Sequence, residues 1–181
     1  MVLVATAGAS TANSYVTVAA ATAFLHERLD TDPWYAEGST GDGSLAQRRE
    51  AGLIWATQLL DDQMQWYGTP TSLTQALAWP QTGQVDRQWQ ALDAATVPRV
   101  VQRATAFYAL ELLRGTTASS TSGAGDGVKR RKVGDTEIEY FAAPTSGTTV
   151  APLTSMPGEV RRMLSPYGRL RGGLTVPLVR V

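Results

Sequence analysis

The stretch Gln75-Ala-Leu-Ala-Trp-Pro-Gln-Thr-Gly83 decides how the rest of the chain folds. It lies between two amphipathic segments that have helical periodicity. Pro80 fixes φ and removes a backbone donor, and Gly83 permits a left-handed turn. We therefore expect Leu77 and Trp79 to anchor an extended connector in the core, and the chain to turn after them at Pro80 and Gly83. Nothing in the stretch is chemically reactive, so a buried structural loop is the simplest interpretation.

Helical patterns lie on both sides of this connector. We predict helices over residues 18–29, 45–66, 97–114 and 157–164. Thr17 is a suitable N-cap for the first helix, and Ser44 with Gln47 matches a capping box that begins the second. Apolar spacing places Leu29 on the core face of the first helix, and Trp55 widens the apolar stripe of the second. Residues 84–95 form a polar insertion that contains Trp89.

A β-hairpin is predicted between two low-complexity segments. Residues 116–127 and 142–154 are rich in Thr, Ser, Ala, Gly and Pro, as flexible linkers are. Between them, two β-prone runs flank Gly134-Asp135. The first run is basic and the second carries glutamates, so facing strands would pair opposite charges. The hairpin residues are Val128, Lys129, Arg130, Arg131, Lys132 and Val133 in the first run and Ile138, Tyr140 and Phe141 in the second.

The predicted fold is mainly α. We expect a small helical bundle of three longer helices and a short C-terminal helix, with an inserted β-hairpin and extended arms at both ends. Residues 1–13 are the N-terminal arm, residues 14–171 the helical domain with its hairpin excursion at about 116–154, and residues 172–181 the C-terminal tail. The tail is apolar and too short to fold alone, and such segments gain structure by docking on another chain.

Composition argues for binding or structure and against catalysis. Of 181 residues, 16 are Lys or Arg and 16 are Asp or Glu, so the formal net charge is zero, and Cys is absent. The single histidine, His26, lies on a charged helix face, and no G-x-S-x-G elbow or phosphate-binding loop before a helix is present. We expect no catalytic residue, metal site or cofactor. No membrane span or signal peptide is recognisable, and the lack of Cys fits a reducing cytoplasm.

The basic run at residues 129–132 is the strongest nucleic-acid candidate in the sequence. Four consecutive cations are able to grip phosphates, even in a chain of zero net charge. On a strand, however, they alternate between two faces, and acidic residues on the partner strand would cancel part of their charge. An ion-paired hairpin or a subunit contact is the simpler interpretation of the same run.

Several short motifs, in order, resemble a bacteriophage family. The chain resembles the DnaT-like single-stranded-DNA-binding proteins of phages, a family that is similar to the head–tail connector (adaptor, or head-completion) proteins of tailed phages. The resemblance covers residues 12 to 170. Its matching residues are Ala12-Asn-Ser-Tyr-Val16, Trp66 with Gly68, Gln75 to Gly83, Val97-Pro98, Lys132-Val-Gly-Asp135 running into Ile138-Glu-Tyr140, and Leu164-Ser-Pro-Tyr167.

The connector resemblance implies a structural virion protein at the head–tail interface, made in the host cytoplasm. It implies a homo-oligomeric ring, a dodecamer, that binds the portal protein and the next connector or tail protein in the neck. Genomic double-stranded DNA would pass through its channel without sequence-specific binding, and no membrane is involved. The hairpin would contact neighbouring subunits, and a docking tail would reach the portal. The docking residues of the tail are Leu174, Val176, Leu178 and Val179.

Two other interpretations of the sequence stay open. The family label implies a phage replication protein that binds single-stranded DNA, although such proteins need a continuous basic groove with stacking aromatic residues. The third interpretation is a bacterial scaffold protein with no phage role.

Overall fold

The computed structural model describes residues 2–36, 44–114, 130–133, 136–139 and 156–171. In these residues we number the helices α1 to α5 and the strands β1 to β6 in chain order. The helices are α1 Val18–His26, α2 Asp32–Tyr35, α3 Leu45–Gln63, α4 Arg99–Leu113 and α5 Gly158–Leu164. The strands are β1 Met64–Trp66, β2 Thr69–Pro70, β3 Gln81–Thr82, β4 Arg130–Val133, β5 Thr136–Glu139 and β6 Gly168–Leu170.

The starts of the first two long helices follow their predicted caps. The Thr17 hydroxyl accepts a hydrogen bond from the Ala20 N–H at 3.2 Å. The Ser44 hydroxyl accepts from the Gln47 N–H at 3.3 Å, while the Gln47 side chain accepts from the Ser44 N–H at 2.8 Å. Each cap satisfies backbone donors that have no partner inside the helix. The mainly α character and the predicted capping box are therefore confirmed.

Three details of the helix predictions are wrong. The first helix ends at His26, and Leu29 lies beyond it with 94 % of its surface exposed. Trp55 is 46 % exposed, at the edge of a concavity that it shares with Leu112 and Leu113 of α4. The chain also forms the short helix Asp32–Tyr35, which buries Trp34 and was not among the predicted helices. In each case tertiary packing, and not the local sequence pattern, determined where the helix ends or which side chain is buried.

Strands pair where the sequence predicted helix or coil. β1 pairs with β6 in antiparallel register, Met64 facing Leu170 and Trp66 facing Gly168, so α3 ends at Gln63 and not at residue 66. Gly168 allows this close approach, because a Cβ there would lie 2.7 Å from the Gln65 carbonyl oxygen. β2 pairs with β3, which joins Pro70, before the connector, to Gln81 near the connector's end.

The predicted hairpin is present as the strand pair β4–β5. Arg130 faces Glu139 and Lys132 faces Glu137 in the antiparallel register, so each of these basic positions lies opposite an acidic one. Only the backbone of these strands is described. The flanking linkers and the predicted residues Val128, Lys129, Tyr140, Phe141, Leu174, Val176, Leu178 and Val179 lie outside the described residues.

The connector lies in the centre of the fold. Trp79 is 1 % exposed and makes edge-to-face contacts with the rings of Trp66 at 5.6 Å and Tyr167 at 6.3 Å. Pro80 is buried and follows a cis peptide bond, Leu77 is half-buried, and Gly83 turns the chain at φ +77° on the surface. Aromatic edge-to-face pairs add about 0.5–1.5 kcal/mol each beyond burial. The connector thereby joins α3, β1 and the segment that follows α5.

Asp61 holds the connector to α3. Its carboxylate accepts hydrogen bonds from the Tyr15 hydroxyl, from Trp66 Nε1 at 3.2 Å and from the Ala78 N–H at 3.1 Å. Burial raises the pKa of Asp61 above its usual value, and these hydrogen bonds oppose that rise. Burial and the neighbouring Asp61 also raise the pKa of Tyr15, so the phenol stays protonated and donates at neutral pH.

The amino-terminal segment lies against the same connector. The Asn13 side chain accepts from the Val4 N–H at 2.7 Å and donates to the Val2 carbonyl at 3.0 Å. The Ala76 N–H donates to the Ala9 carbonyl at 3.2 Å. Residues 2–13 therefore form a closed loop beside the connector, with no helix or strand of their own.

Candidate nucleic-acid interface

A groove of about 610 Å³ opens between α1, the segment 86–92, α4 and α5. Its charged lining residues are Arg28, Arg87, Arg99, Arg103, Asp86 and Glu159. Its aromatic lining residues are Phe24, Phe107 and Tyr167. We call this concavity the arginine groove. Four arginines and two carboxylates give it a formal charge of +2, in a chain whose total formal charge is zero.

The two carboxylates of the groove are already engaged by protein donors. Glu159 accepts both guanidinium hydrogen bonds of Arg28, at 2.7 and 3.1 Å. Asp86 accepts the N–H groups of Gln88 and Gln90, at 2.8 and 2.9 Å. Neither acid therefore neutralises the other arginines by direct contact. Asp86 keeps its own negative charge, because neutral N–H donors do not cancel it. With the Arg28–Glu159 pair balanced, the +2 charge of the groove comes from Arg87, Arg99 and Arg103 less that of Asp86.

These three arginines are exposed and form no salt bridge within the described ranges. Arg99 lies over the Phe24 ring, 5.4 Å from its centroid, as Arg28 lies over Phe107 at 4.3 Å. Such stacking orients a guanidinium while leaving its N–H donors able to bind phosphate. Two guanidinium groups of the groove are thus oriented by the aromatic rings beneath them.

The amino end of α4 adds to this positive potential. Pro98 occupies the N-cap position, no side chain caps the helix, and its first turn contains no acidic residue. Pro98, Arg99 and Val100 all line the groove. Helix amino ends carry partial positive charge and favour anions, so a cation in the first turn is unfavourable for the helix. Arg99 at that position therefore adds to the positive potential of the helix end.

A small hairpin presents an exposed indole beside the groove. The Asp86 N–H donates to the Gln90 carbonyl at 2.8 Å and the Trp89 N–H to the Asp86 carbonyl at 3.1 Å, while Val85 bridges Ala91. Trp89 is 84 % exposed, the largest exposed fraction of any aromatic side chain in the described residues. Its φ of +64° lies in the left-handed region, which favours glycine. A large apolar residue therefore occupies a strained, solvent-facing turn position.

Tyr167 closes the groove between this hairpin and α5. Burial raises the pKa of its phenol, while Arg87 lowers it and Asp86 raises it. The hydroxyl therefore stays neutral near pH 7. Its backbone carbonyl accepts from Gln84 Nε2 at 3.1 Å, which fixes the base of the Trp89 hairpin to the end of α5.

The residues that the sequence singled out do not form this groove. Leu77, Trp79, Pro80 and Gly83 lie in the connector, and of the basic run 129–132 only the strand backbone from Arg130 is described. The four groove arginines come from three separate segments, so no run of basic residues marked them. One usable signal was present: Arg99 and Arg103 follow Pro98 at i, i+4 spacing, in a helix start that lacks acidic residues.

The whole chain, residues 1–181, matches the model of the family described as "Putative DnaT-like ssDNA binding protein". The chain belongs to this family. No curated protein and no solved structure matches it.

Membership of this family contradicts the expectation that the protein is a head–tail connector. The matching family is described by single-stranded-DNA binding, and nothing found supports a structural virion adaptor. The predicted portal-binding ring, its dodecameric state, its contact with a tail protein and the passage of double-stranded DNA through its channel are wrong on the same finding. A net charge of zero gives no sign of a local basic surface, because arginines that are distant in sequence meet only in the folded chain. The arginine groove and Trp89 provide that surface locally.

Among the described residues, no group of three or more His, Asp or Glu side chains is placed to hold a metal ion. None of the helices in the part of the chain that the structure describes is long and apolar enough to cross a membrane.

Proposed function

We propose that this protein binds single-stranded DNA in the arginine groove and stacks an unpaired base on Trp89. It acts by binding and not by catalysis. The observation that carries the proposal is the set of three arginines without salt bridges, Arg87, Arg99 and Arg103, beside an indole that is 84 % exposed. Family membership points to the same ligand. We place this activity in the cytoplasm, since a chain without cysteine suits a reducing compartment.

The combination of charge and stacking favours a single strand over a duplex. Arginines bind phosphates of either form, because both backbones are anionic. A side chain that projects from a turn stacks only on a base that is free of its partner strand, and such stacking tolerates any sequence. Trp89 is therefore the residue that selects unpaired DNA, and the arginines supply most of the salt-dependent affinity.

The strain at Trp89 supports a role in binding. A left-handed φ at a non-glycine residue costs on the order of 1–3 kcal/mol and persists where the surroundings fix it. Asp86 fixes this turn through its two side-chain hydrogen bonds to Gln88 and Gln90. A glycine would form the turn more easily, so the indole at this position serves something other than the fold.

Fluorescence anisotropy with a labelled oligothymidylate tests the arginines. Replacing Arg99 and Arg103 with Gln is expected to weaken binding at least tenfold near physiological salt. The plot of log K against log salt loses about 0.7 of slope for each phosphate contact removed. The control is Arg48→Gln, because Arg48 lies on α3 and does not line the groove. Equal, salt-insensitive binding by all three proteins would reject the proposal.

A second pair of variants tests stacking. Trp89→Ala is expected to lose about 1–3 kcal/mol of binding free energy, the usual contribution of one stacked base. Trp55→Ala is the matched control, since Trp55 is also exposed but lies at a different concavity, beside Arg48 and Leu113. Loss of affinity in both variants, or in Trp55→Ala alone, would place the DNA on another surface.

A further inference from the structure

A second cationic concavity lies on the other side of Tyr167. Its volume is about 220 Å³, and its lining includes Tyr67, Arg161, Ser165, Gly168 and Arg169. We call it the Tyr67 patch. Tyr67 is 61 % exposed there, with its ring free of any aromatic or cationic contact among the described residues. The patch therefore has the same two ingredients as the groove, an exposed aromatic side chain and arginines.

The segment that forms the patch is strongly basic. Residues 158–171 contain Arg161, Arg162, Arg169 and Arg171, all exposed, and a single acid, Glu159. Glu159 faces the arginine groove and is bound to Arg28. In the described ranges no carboxylate forms a salt bridge with Arg161 or Arg169, and Arg169 Nε donates only to the neutral Gln65 side chain at 3.0 Å. A concentration of unneutralised charge of this kind attracts polyanions.

The patch is continuous with the groove through one carbonyl group. The Tyr167 carbonyl accepts from the Tyr67 N–H at 3.0 Å and from Gln84 Nε2 at 3.1 Å. Tyr67 and the base of the Trp89 hairpin are thus fixed to the same atom. The side chain of Tyr167 lines the groove, while the next residues, Gly168 and Arg169, line the patch. α5 is shared in the same way, with Met163 in the groove and Arg161 in the patch.

We propose that the Tyr67 patch is a second subsite for single-stranded DNA, which extends the path of a strand already bound in the arginine groove. Tyr67 stacks on an unpaired base, and Arg161 and Arg169 bind the phosphates that flank it. The inference rests on the proposed function of the groove. It adds that affinity grows with strand length beyond what the groove alone holds, because a strand that crosses Tyr167 engages both sets of cations.

Length dependence separates the two subsites. The double variant Tyr67→Ala/Arg169→Gln is compared with the natural chain on oligothymidylates of about 6 and about 20 nucleotides, a range that spans common single-strand site sizes. We expect roughly tenfold weaker binding of the longer strand and little change for the shorter one. Trp89→Ala is the contrasting control, because a groove variant weakens both lengths. Circular dichroism and thermal unfolding confirm that each variant is folded.

Salt dependence provides an independent measurement. Arg161→Gln/Arg169→Gln keeps Tyr67 and is expected to reduce the salt slope of the longer strand by about 1.4, which corresponds to two phosphate contacts. Unchanged affinity and slope on the longer strand would overturn the second subsite while leaving the groove in place. An equal loss on both lengths would also overturn it, since a short strand does not reach past Tyr167. Failure of the natural chain to bind either strand would reject the proposed function and this inference together.

Discussion

Two tryptophans of this chain are each positioned by a neighbouring aspartate, with opposite results. Around Trp79, Asp61 accepts hydrogen bonds from Tyr15, Trp66 and the Ala78 N–H, and the indole is 1 % exposed. Around Trp89, Asp86 accepts two backbone N–H groups of a tight turn, and the indole is 84 % exposed. The hydrogen bonds of Asp61 hold Trp79 in the core, whereas those of Asp86 form a turn from which Trp89 projects into solvent.

The difference lies in what each carboxylate bonds to. Asp61 joins three segments that are distant in sequence, so its hydrogen bonds hold tertiary structure together. Asp86 bonds only within residues 86–90, so it shapes one turn and leaves the core unaffected. Stability and binding are therefore separable in this protein, and mutations at the two sites should show it.

The largest expected effect is at the buried indole. Trp79→Ala removes the ring that contacts Trp66 and Tyr167, and it should lower the free energy of unfolding by about 3–5 kcal/mol. Trp89→Ala, the same change at an exposed site, should alter it by less than about 0.5 kcal/mol. Urea unfolding followed by circular dichroism measures both values. Similar losses in the two variants would mean that Trp89 also packs in the core.

Removal of the buried carboxylate should have the next largest effect. Asp61→Ala leaves the Tyr15 hydroxyl, Trp66 Nε1 and the Ala78 N–H without an acceptor, at a cost on the order of 3 kcal/mol. Asp62→Ala is the control, since Asp62 is the next residue in the sequence and its side chain is exposed. Asp61→Asn should fall between them, because its amide oxygen still accepts two of the three bonds. A neutral Asp61→Ala in thermal unfolding would contradict the role assigned to this carboxylate.

The buried carboxyl of Asp61 predicts a pH dependence of stability with a definite sign. Burial raises the pKa of Asp61 above its usual value of 3.8, so the folded chain holds that proton more tightly than the unfolded chain. This contribution to stability is present below that value and is lost as pH rises through the raised pKa. Urea unfolding across the acid range should show that decline, and Asp61→Asn should remove it.

Asp93 serves as the internal reference for that experiment. Hydrogen bonds from the Ala95 N–H and the Thr96 side chain lower its pKa, so its contribution has the opposite sign and is lost as pH falls. Asp93→Asn should therefore leave the Asp61-dependent decline intact. An identical pH profile in the natural chain and in Asp61→Asn would show that Asp61 does not titrate in this window.

The smallest expected effect is a difference in stability between two substitutions of the exposed Trp89. Trp89→Gly places glycine at φ +64°, and it should be more stable than Trp89→Ala by about 1 kcal/mol. Both variants lack the ring and should lose the same DNA affinity. Thermal unfolding and anisotropy measure the two properties separately. A Trp89→Gly variant that binds as tightly as the natural chain would exclude stacking at this turn.

Much of the fold was predictable because its signals are local. Caps such as Thr17 and Ser44, the helical periodicity and the turn at Gly134-Asp135 each depend on a few neighbouring residues. The β1–β6 pairing was missed because its strands have three residues each and Gln65 meets Arg169 across 104 positions of sequence. The groove was missed for the same reason. Arg28, Arg87 and the α4 pair Arg99 and Arg103 are far apart in sequence, and only the folded chain brings them together.

The pairing of Arg28 with Glu159 spans 131 positions of sequence and joins the two walls of the groove. During translation at about 5–20 residues per second, the α1 wall leaves the ribosome roughly ten seconds before the α5 wall exists. A nascent chain therefore displays helices that can fold early, but no completed site for nucleic acid. The proposed DNA site is therefore completed only after α5 is made, and an interrupted translation product that lacks α5 would lack one wall of the groove.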